Sequence, residues 1–245
     1  MSETAAPPSP VLPLFFHNVI GVNATQHSHL RLDRTSGFGF AAHAQAVPLG
    51  LGELDIACQH YPIVFTTGQQ TTPMALLGLK EGDNLFVRPD GTWRPDSYIP
   101  AYVRAFPFIF VEDREKSTMF VGMESEAKAL NTSTGAALFE DGKPSPAMNE
   151  AIQFCAAFRD NLNAGSTFGA ALQEAGLLEE EEANVNFTAG GTARVTGFKV
   201  IKADRMDKVP DETYLEWRHN GWISHIHAQL FSTARWSRLV ELTAG

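Results

Sequence analysis

The stretch Ser145-Pro146-Ala147-Met148-Asn149-Glu150-Ala151-Ile152-Gln153-Phe154-Cys155-Ala156-Ala157-Phe158 divides the chain into two kinds of pattern. Ser145 carries the side-chain oxygen of a helix cap. Pro146 fits the first helical turn, where its missing N–H is not needed. Met148, Ile152, Cys155, Phe158 and Leu162 then recur every three or four residues and form one apolar stripe. Gly165 is expected to end this helix. Ser166 and Thr167 are expected to cap a second, shorter one carrying Phe168, Ala171, Leu172 and Ala175, stopped near Gly176.

Before this stretch the period is shorter. Residues 11–143 read mostly as short strands and turns. Leu30-Arg31-Leu32 and Phe38-Gly39-Phe40-Ala41 are apolar clusters between turn residues. His60-Tyr61-Pro62-Ile63-Val64-Phe65 is a β-rich run whose proline marks a strand start or an edge. Gly68 to Thr72 reads as a hairpin loop, Met74 to Leu79 as the returning strand, and Asn84 to Val87 as a further segment before the Pro89-Asp90-Gly91 turn. Phe106-Pro107-Phe108-Ile109-Phe110-Val111 is a continuous apolar run of strand length, expected to be buried on both faces, with Thr118 to Met123 beside it. One short helix, Leu51 to Gln59, interrupts this half.

After the stretch, the four acids Glu179 to Glu182 read as a solvated surface turn. Asn184 to Phe187 and Ala193 to Ile201 flank Gly190-Gly191 as a hairpin. Glu212 to His219 is a helix stopped at Asn220-Gly221. Trp222, Ile223, Ile226, Leu230, Ala234 and Leu239 line a final helix to about Leu242. The expected fold class is therefore α+β: a twisted, mainly antiparallel sheet in the N-terminal half, packed with C-terminal helices and a late β-hairpin. Residues 11–245 read as one domain, with a β-rich part at 11–143 and a helix-rich part at 144–245. Residues 1–10 read as a flexible Pro-rich tail. The long apolar helix faces must close a core or make a homodimer.

Composition bounds the function. The 245 residues are 44% hydrophobic and 19% charged, an ordinary globular balance that excludes collagen, coiled coil and long disorder. A net charge of −9 has the wrong sign for general nucleic-acid binding. No stretch reaches 18 apolar residues, and the start lacks the charge and apolar core of a cleaved leader. Cys58 and Cys155, far apart and each among apolar neighbours, read as buried free thiols. Together these point to the cytoplasm, with leaderless export to the cell surface as the alternative.

Several strings occur in an order and spacing that resembles the bacterial SapC family: Tyr61-Pro62-Ile63-Val64-Phe65, Ala75-Leu76-Leu77-Gly78, Asn84-Leu85-Phe86-Val87, Gly91-Thr92-Trp93, Tyr98-Ile99-Pro100-Ala101, Arg104-Ala105-Phe106-Pro107-Phe108, Gly197-Phe198, Gly221-Trp222-Ile223 and Ala228-Gln229-Leu230-Phe231-Ser232. The resemblance runs from His17 to Leu242. It implies a link to surface-layer proteins, and partners among outer-membrane receptor or flavin-dependent tryptophan halogenase systems. It carries over no catalytic residue.

The residues themselves offer no catalytic constellation. There is no Gly-x-Ser-x-Gly elbow, Walker loop, Cys-x-x-Cys or dinucleotide fingerprint. His225 and His227 fall on an expected helix, where positions two apart point about 200° away from each other and cannot share a small ion. His27 and His29 lack a third ligand nearby in sequence. No metal site and no cofactor are expected. What remains is a polar-aromatic set: His60, Tyr61, Asn84, Trp93, Tyr98, Tyr102 and Arg104. Tyrosine and tryptophan combine apolar area with a polar tip, and arginine offers a planar fork for a carboxylate. One reading has these residues satisfied inside the core. The other has them line a groove, with Arg104 gripping a carboxylate and Trp93 or Tyr98 as an apolar wall. The function expected first is a non-catalytic accessory protein binding a peptide, protein or aromatic acid. The alternatives are an enzyme acting on peptides or amino acids, with or without a metal, and a surface-layer structural protein.

Overall fold

The N-terminal strands are short because turn residues interrupt them every few positions. A computed structural model describes residues 12–68, 70–113, 118–186 and 191–244. The tail 1–10, Gln69 of the hairpin loop, and Phe187 and Gly190 of the late turn lie outside the described residues. The first half runs through β1 (Val19–Gly21), α1 (Ala24–His27), β2 (Arg31–Leu32), β3 (Ala46–Pro48), α2 (Leu54–Ala57), β4 (Ile63–Thr66), β5 (Pro73–Leu76) and α3 (Ala101–Ala105). It continues with β6 (Phe108–Asp113), β7 (Thr118–Glu124), β8 (Leu130–Asn131), β9 (Ala136–Ala137), β10 (Phe139–Glu140) and β11 (Lys143–Pro144). The second half holds α4 (Pro146–Glu174), β12 (Leu178–Asn186), β13 (Thr192–Ile201), α5 (Asp211–His219), α6 (Trp222–Ser232) and α7 (Trp236–Ala244). The fold is α+β, as the pattern predicts.

All strand pairs are antiparallel. The largest sheet runs β12-β13-β4-β5-β3, so the late hairpin joins the N-terminal strands: Phe198 and Lys199 of β13 face Thr66 and Phe65 of β4. Pro62 stands just before β4, where the missing N–H interrupts no ladder bond. A second sheet is ordered β1-β7-β6 and a third β8-β2-β9. The main core fills the space over the five-stranded sheet with Tyr61, Phe65, Phe86, Phe168, Trp217 and their neighbours. A smaller core under β6 and β7 holds Phe108, Met123, Leu138, Met148 and Cys155. Among the described residues no helix is long and apolar enough to cross a membrane.

Several local expectations fail. The two helices expected either side of Gly165 are one: α4 runs 29 residues without a break. Ser145 caps it as expected, its Oγ accepting from Met148 N at 3.2 Å. The glycines inside it are packing devices. A Cβ on Gly165 would lie 3.3 Å from the Leu49 carbonyl oxygen, and one on Gly169 only 2.0 Å from that of Thr71. Buried contact with the sheet thus outweighs the modest helix penalty of glycine. Phe38 to Ala41 is not a strand; Gly39–Ala41 is a 3-10 turn. Asn84 to Val87 contributes only an isolated bridge, Val87 to Trp93. The Tyr98–Arg104 segment, given no element by the sequence pattern, ends in helix α3. The final helix is split into α6 and α7 by a 3-10 turn over Thr233–Arg235.

The acid run is a strand, not a turn. Glu179 to Glu182 sit in β12 on the edge of the large sheet. Glu179, Glu181 and Glu182 meet Lys202, Arg205 and Arg194, which offset most of the row's charge. Charges along an edge strand also discourage sheet-to-sheet association. Where β4 and β13 part, at Ile63 and Ile201, α6 docks through two buried polar side chains. Gln229 donates to the Ile63 carbonyl at 3.0 Å, and Ser232 Oγ accepts from Ile63 N at 2.9 Å.

The glycine reading of α4 makes a sharp expectation. Gly169→Ala must push the helix off Thr71 and lower unfolding free energy by at least about 2 kcal/mol in urea denaturation. Gly39→Ala, whose Cβ meets nothing within 4 Å, changes it by less than about 0.5 kcal/mol. Equal effects would refute the close-packing explanation.

Candidate functional site

A glutamate that the sequence reading passed over organises the polar-aromatic set. Glu53 ends a 3-10 turn, Leu51–Glu53, and is only 8% exposed. Its Oε2 accepts from Gly50 N at 2.8 Å. Its Oε1 accepts from the Tyr98 hydroxyl at 2.8 Å and from Ala101 N, at the start of α3, at 2.7 Å. No cation pairs with it among the described residues. Three neutral donors therefore solvate the carboxylate, and in return it pins the 50s turn, the Tyr98 loop and α3 together.

The Tyr98 hydroxyl also accepts from Arg104 Nη2 at 3.0 Å. A directed chain results, from guanidinium to phenol to carboxylate. Burial, the charge of Glu53 and its grip on the phenolic proton push the Tyr98 phenol up to about 12; Arg104 only partly opposes this. Tyr61 lies behind, fully buried. Its hydroxyl donates to the Tyr98 carbonyl and accepts from Trp93 Nε1 at 3.3 Å. Burial pushes its phenol well above the ordinary range. At neutral pH both phenols keep their protons and act as hydrogen-bonding struts.

Arg104 is the exposed end of this chain. Its Nε donates to the Ile99 carbonyl at 3.0 Å, and its guanidinium lies 5.5 Å from the centroid of Tyr98 and 5.1 Å from that of Phe154. Two hydrogen bonds and two ring faces fix an otherwise floppy side chain. It opens onto a cleft of about 380 Å³ walled by Phe38, Phe40, Ile99, Val103, Phe106 and Phe154. Phe40 stacks on Phe106 at 4.0 Å between centroids, and Trp93 supports Phe38 from behind at 5.7 Å. The rim carries charges of both signs: Arg34 with Arg104, and Asp33 with Glu150. Asp33 is held below the usual carboxylate range by hydrogen bonds from Thr35 and Thr134.

Of the seven residues singled out by sequence, the fold brings together Tyr61, Trp93, Tyr98 and Arg104. Asn84 is buried in a structural role, its Nδ2 donating to the Ala41 carbonyl and its Oδ1 accepting from Phe86 N, both at 2.9 Å. Tyr102 faces away, donating to the Leu14 carbonyl at 2.8 Å and packing on Phe15 and Phe158. His60 opens onto a different cleft, with Arg94 and Arg235. Glu53, Arg34 and Phe154 were missed. The only local signal for Glu53 is a lone acid in the otherwise apolar run from Leu49 to Leu54, three residues after Gly50.

No group of three or more His, Cys, Asp or Glu is arranged to hold a metal ion among the described residues. His225 and His227 lie on α6 as the helical reading requires. The first meets Asp55 at 3.2 Å, and the second bonds its own helix at the Ile223 carbonyl. Both cysteines are free; Cys155 is buried, which pushes its thiol up to about 11, and Cys58 is only partly buried.

Glu53→Gln turns one of three converging donors against an NH₂ group. The expected loss is about 1–3 kcal/mol of unfolding free energy, against about 1 kcal/mol for Tyr98→Phe. A Glu53→Gln protein as stable as the parent in urea would show that the carboxylate is not the organising group.

A family model described as SapC matches residues 22–239. No curated protein and no solved structure matches the chain.

Proposed function

The chain belongs to the SapC family, and from that premise we propose that it is a binding protein whose Arg104 cleft receives a carboxylate-bearing apolar ligand, an aromatic amino acid or the end of a peptide. The observation that carries this reading is the fixed guanidinium of Arg104, held between Tyr98 and Phe154 at the mouth of an apolar cleft. Preorganisation matters because the entropy of holding a long side chain is spent in folding, not in binding. The free edge of the fork is then available to a carboxylate, while the phenylalanine walls take an apolar side chain.

The paired rim charges refine the ligand. A plain aromatic acid would use Arg104 and Arg34 but leave Asp33 and Glu150 facing its ring. An amino acid or peptide terminus brings an ammonium or amide N–H to those carboxylates as well. The cleft therefore suits a peptide or amino acid better than a simple acid. Tyr98 and Tyr61, protonated at neutral pH, serve recognition by positioning Arg104. A protein partner from an outer-membrane receptor or halogenase system would enter through such a terminus.

Titration calorimetry with a short peptide ending in Trp tests the reading. The free-acid peptide should bind, and its C-terminal amide should bind at least about tenfold more weakly, the scale of one charge-assisted hydrogen-bonded pair. Arg104→Gln should remove that difference. Equal binding of acid and amide, or an Arg104→Gln protein that still prefers the acid, would overturn the assignment.

A further inference from the structure

On the far side of the Arg94–Arg104 segment lies a second cleft, of about 420 Å³, unlike the first in its charge. Arg94, Arg235 and Arg238 line it together with His60, Ser97 and Asp96. Three guanidiniums thus converge in a chain whose net charge is −9. Gathering like charges is unfavourable unless an anion offsets it. The internal offsets are small. Asp96 is the one carboxylate lining the cleft among the described residues. Arg238 meets Glu241 only at 3.5 Å on an exposed helix face, a pairing that solvent screens. Arg235 and Arg94 make no ion pair among the described residues. Arg94 is nonetheless fixed, its Nε donating to the Leu85 carbonyl at 2.6 Å, a bond that does not use its terminal nitrogens.

We propose that this cleft binds the phosphoryl group of a small phosphorylated molecule. A carboxylate has two oxygens and one charge, and one guanidinium fork saturates it. Three forks with a serine and a histidine beside them match a group with three terminal oxygens and nearly two charges at neutral pH. The apolar part of the lining is the exposed ring of Pro95, with the buried Phe86 behind it packed on Tyr61 and Trp93, so an apolar or ring-bearing substituent on the phosphoryl group has a surface to rest on. The cleft is too small for a polymer backbone, and the acidic remainder of the molecule repels one. His60 is desolvated and faces Arg235, which holds it below its usual range; the neutral ring is available as a hydrogen-bond donor without adding to the repulsion. The site is independent of the Arg104 reading.

Isothermal titration of the full chain at low ionic strength, with phenyl phosphate and inorganic phosphate as probes, tests the proposal. Saturable binding of both is expected, phenyl phosphate the tighter. The double variant Arg94→Gln/Arg235→Gln should weaken phenyl phosphate by about 100-fold or more, at about tenfold per charge-assisted contact. Lys143→Gln, which removes a charge from β11 outside the cleft, should leave binding unchanged, and circular dichroism establishes that the variants are folded. The proposal is overturned if neither probe saturates below about 10 mM. It is also overturned if the folded double variant binds as the parent does, or if benzoate binds as tightly as phenyl phosphate.

Discussion

The region around the clefts depends on how one buried carboxylate is satisfied. Glu53 carries a formal charge into a nearly dry position, and removing a carboxylate from water is costly unless hydrogen bonds replace the lost solvent. Here the replacements come from three segments distant in sequence: Gly50, Tyr98 and Ala101. Each donor would be orphaned without the acid, and the acid would be stranded without them. Mutual need of this kind makes a geometry unique, because partial versions of the network are worse than none. The segment from Arg94 to Arg104 has little regular structure before α3, yet it is pinned at its centre. Both clefts inherit their shape from that pin.

Aromatic packing then does what regular strands would otherwise do. Phe38, Phe40, Phe86, Trp93 and Phe106 make a contiguous set of ring contacts beneath the loops. Large flat side chains bury much surface for few rotatable bonds, so loops built on them hold their form. The outward result is two clefts of opposite character on either side of one segment. One is apolar with mixed charges at its rim; the other is cationic. In a molecule with an overall negative charge, five arginines, Arg34 and Arg104 at one cleft and Arg94, Arg235 and Arg238 at the other, stand in these two places.

What could be read from the chain beforehand follows a physical divide. The α+β class, the cap at Ser145, the strand after Pro62, the late hairpin and the helical setting of His225 and His227 are local matters, written in period and turn chemistry. The continuity of α4 was hidden because Gly165 looks like a stop until the Leu49 carbonyl stands against it. The acid run misled for a related reason, since its lysine and arginine partners lie 12 to 26 positions away and become neighbours only once β12 and β13 pair. In the candidate site, Arg104 and Tyr98 were legible from their chemistry. Glu53 was not, because an acid on a short turn is normally exposed, and only the tertiary approach of Tyr98 and Ala101 buries it. Asn84 and Tyr102 have the same chemistry as the cleft residues but spend it inside the fold.

The unbroken course of α4 has a mechanical side. Its first turns carry Met148 and Cys155 into the smaller core, while its last turns carry Phe168 and Leu172 into the larger one. Glu150 and Phe154, both facing the Arg104 cleft, ride on the first part. A rod shared by two cores, and pressed against backbone carbonyls at its glycines, cannot bend to let one core loosen while the other stays intact. Melting should therefore run through the whole body as a single cooperative event, and any tilt of the rod at one end would be felt at the other.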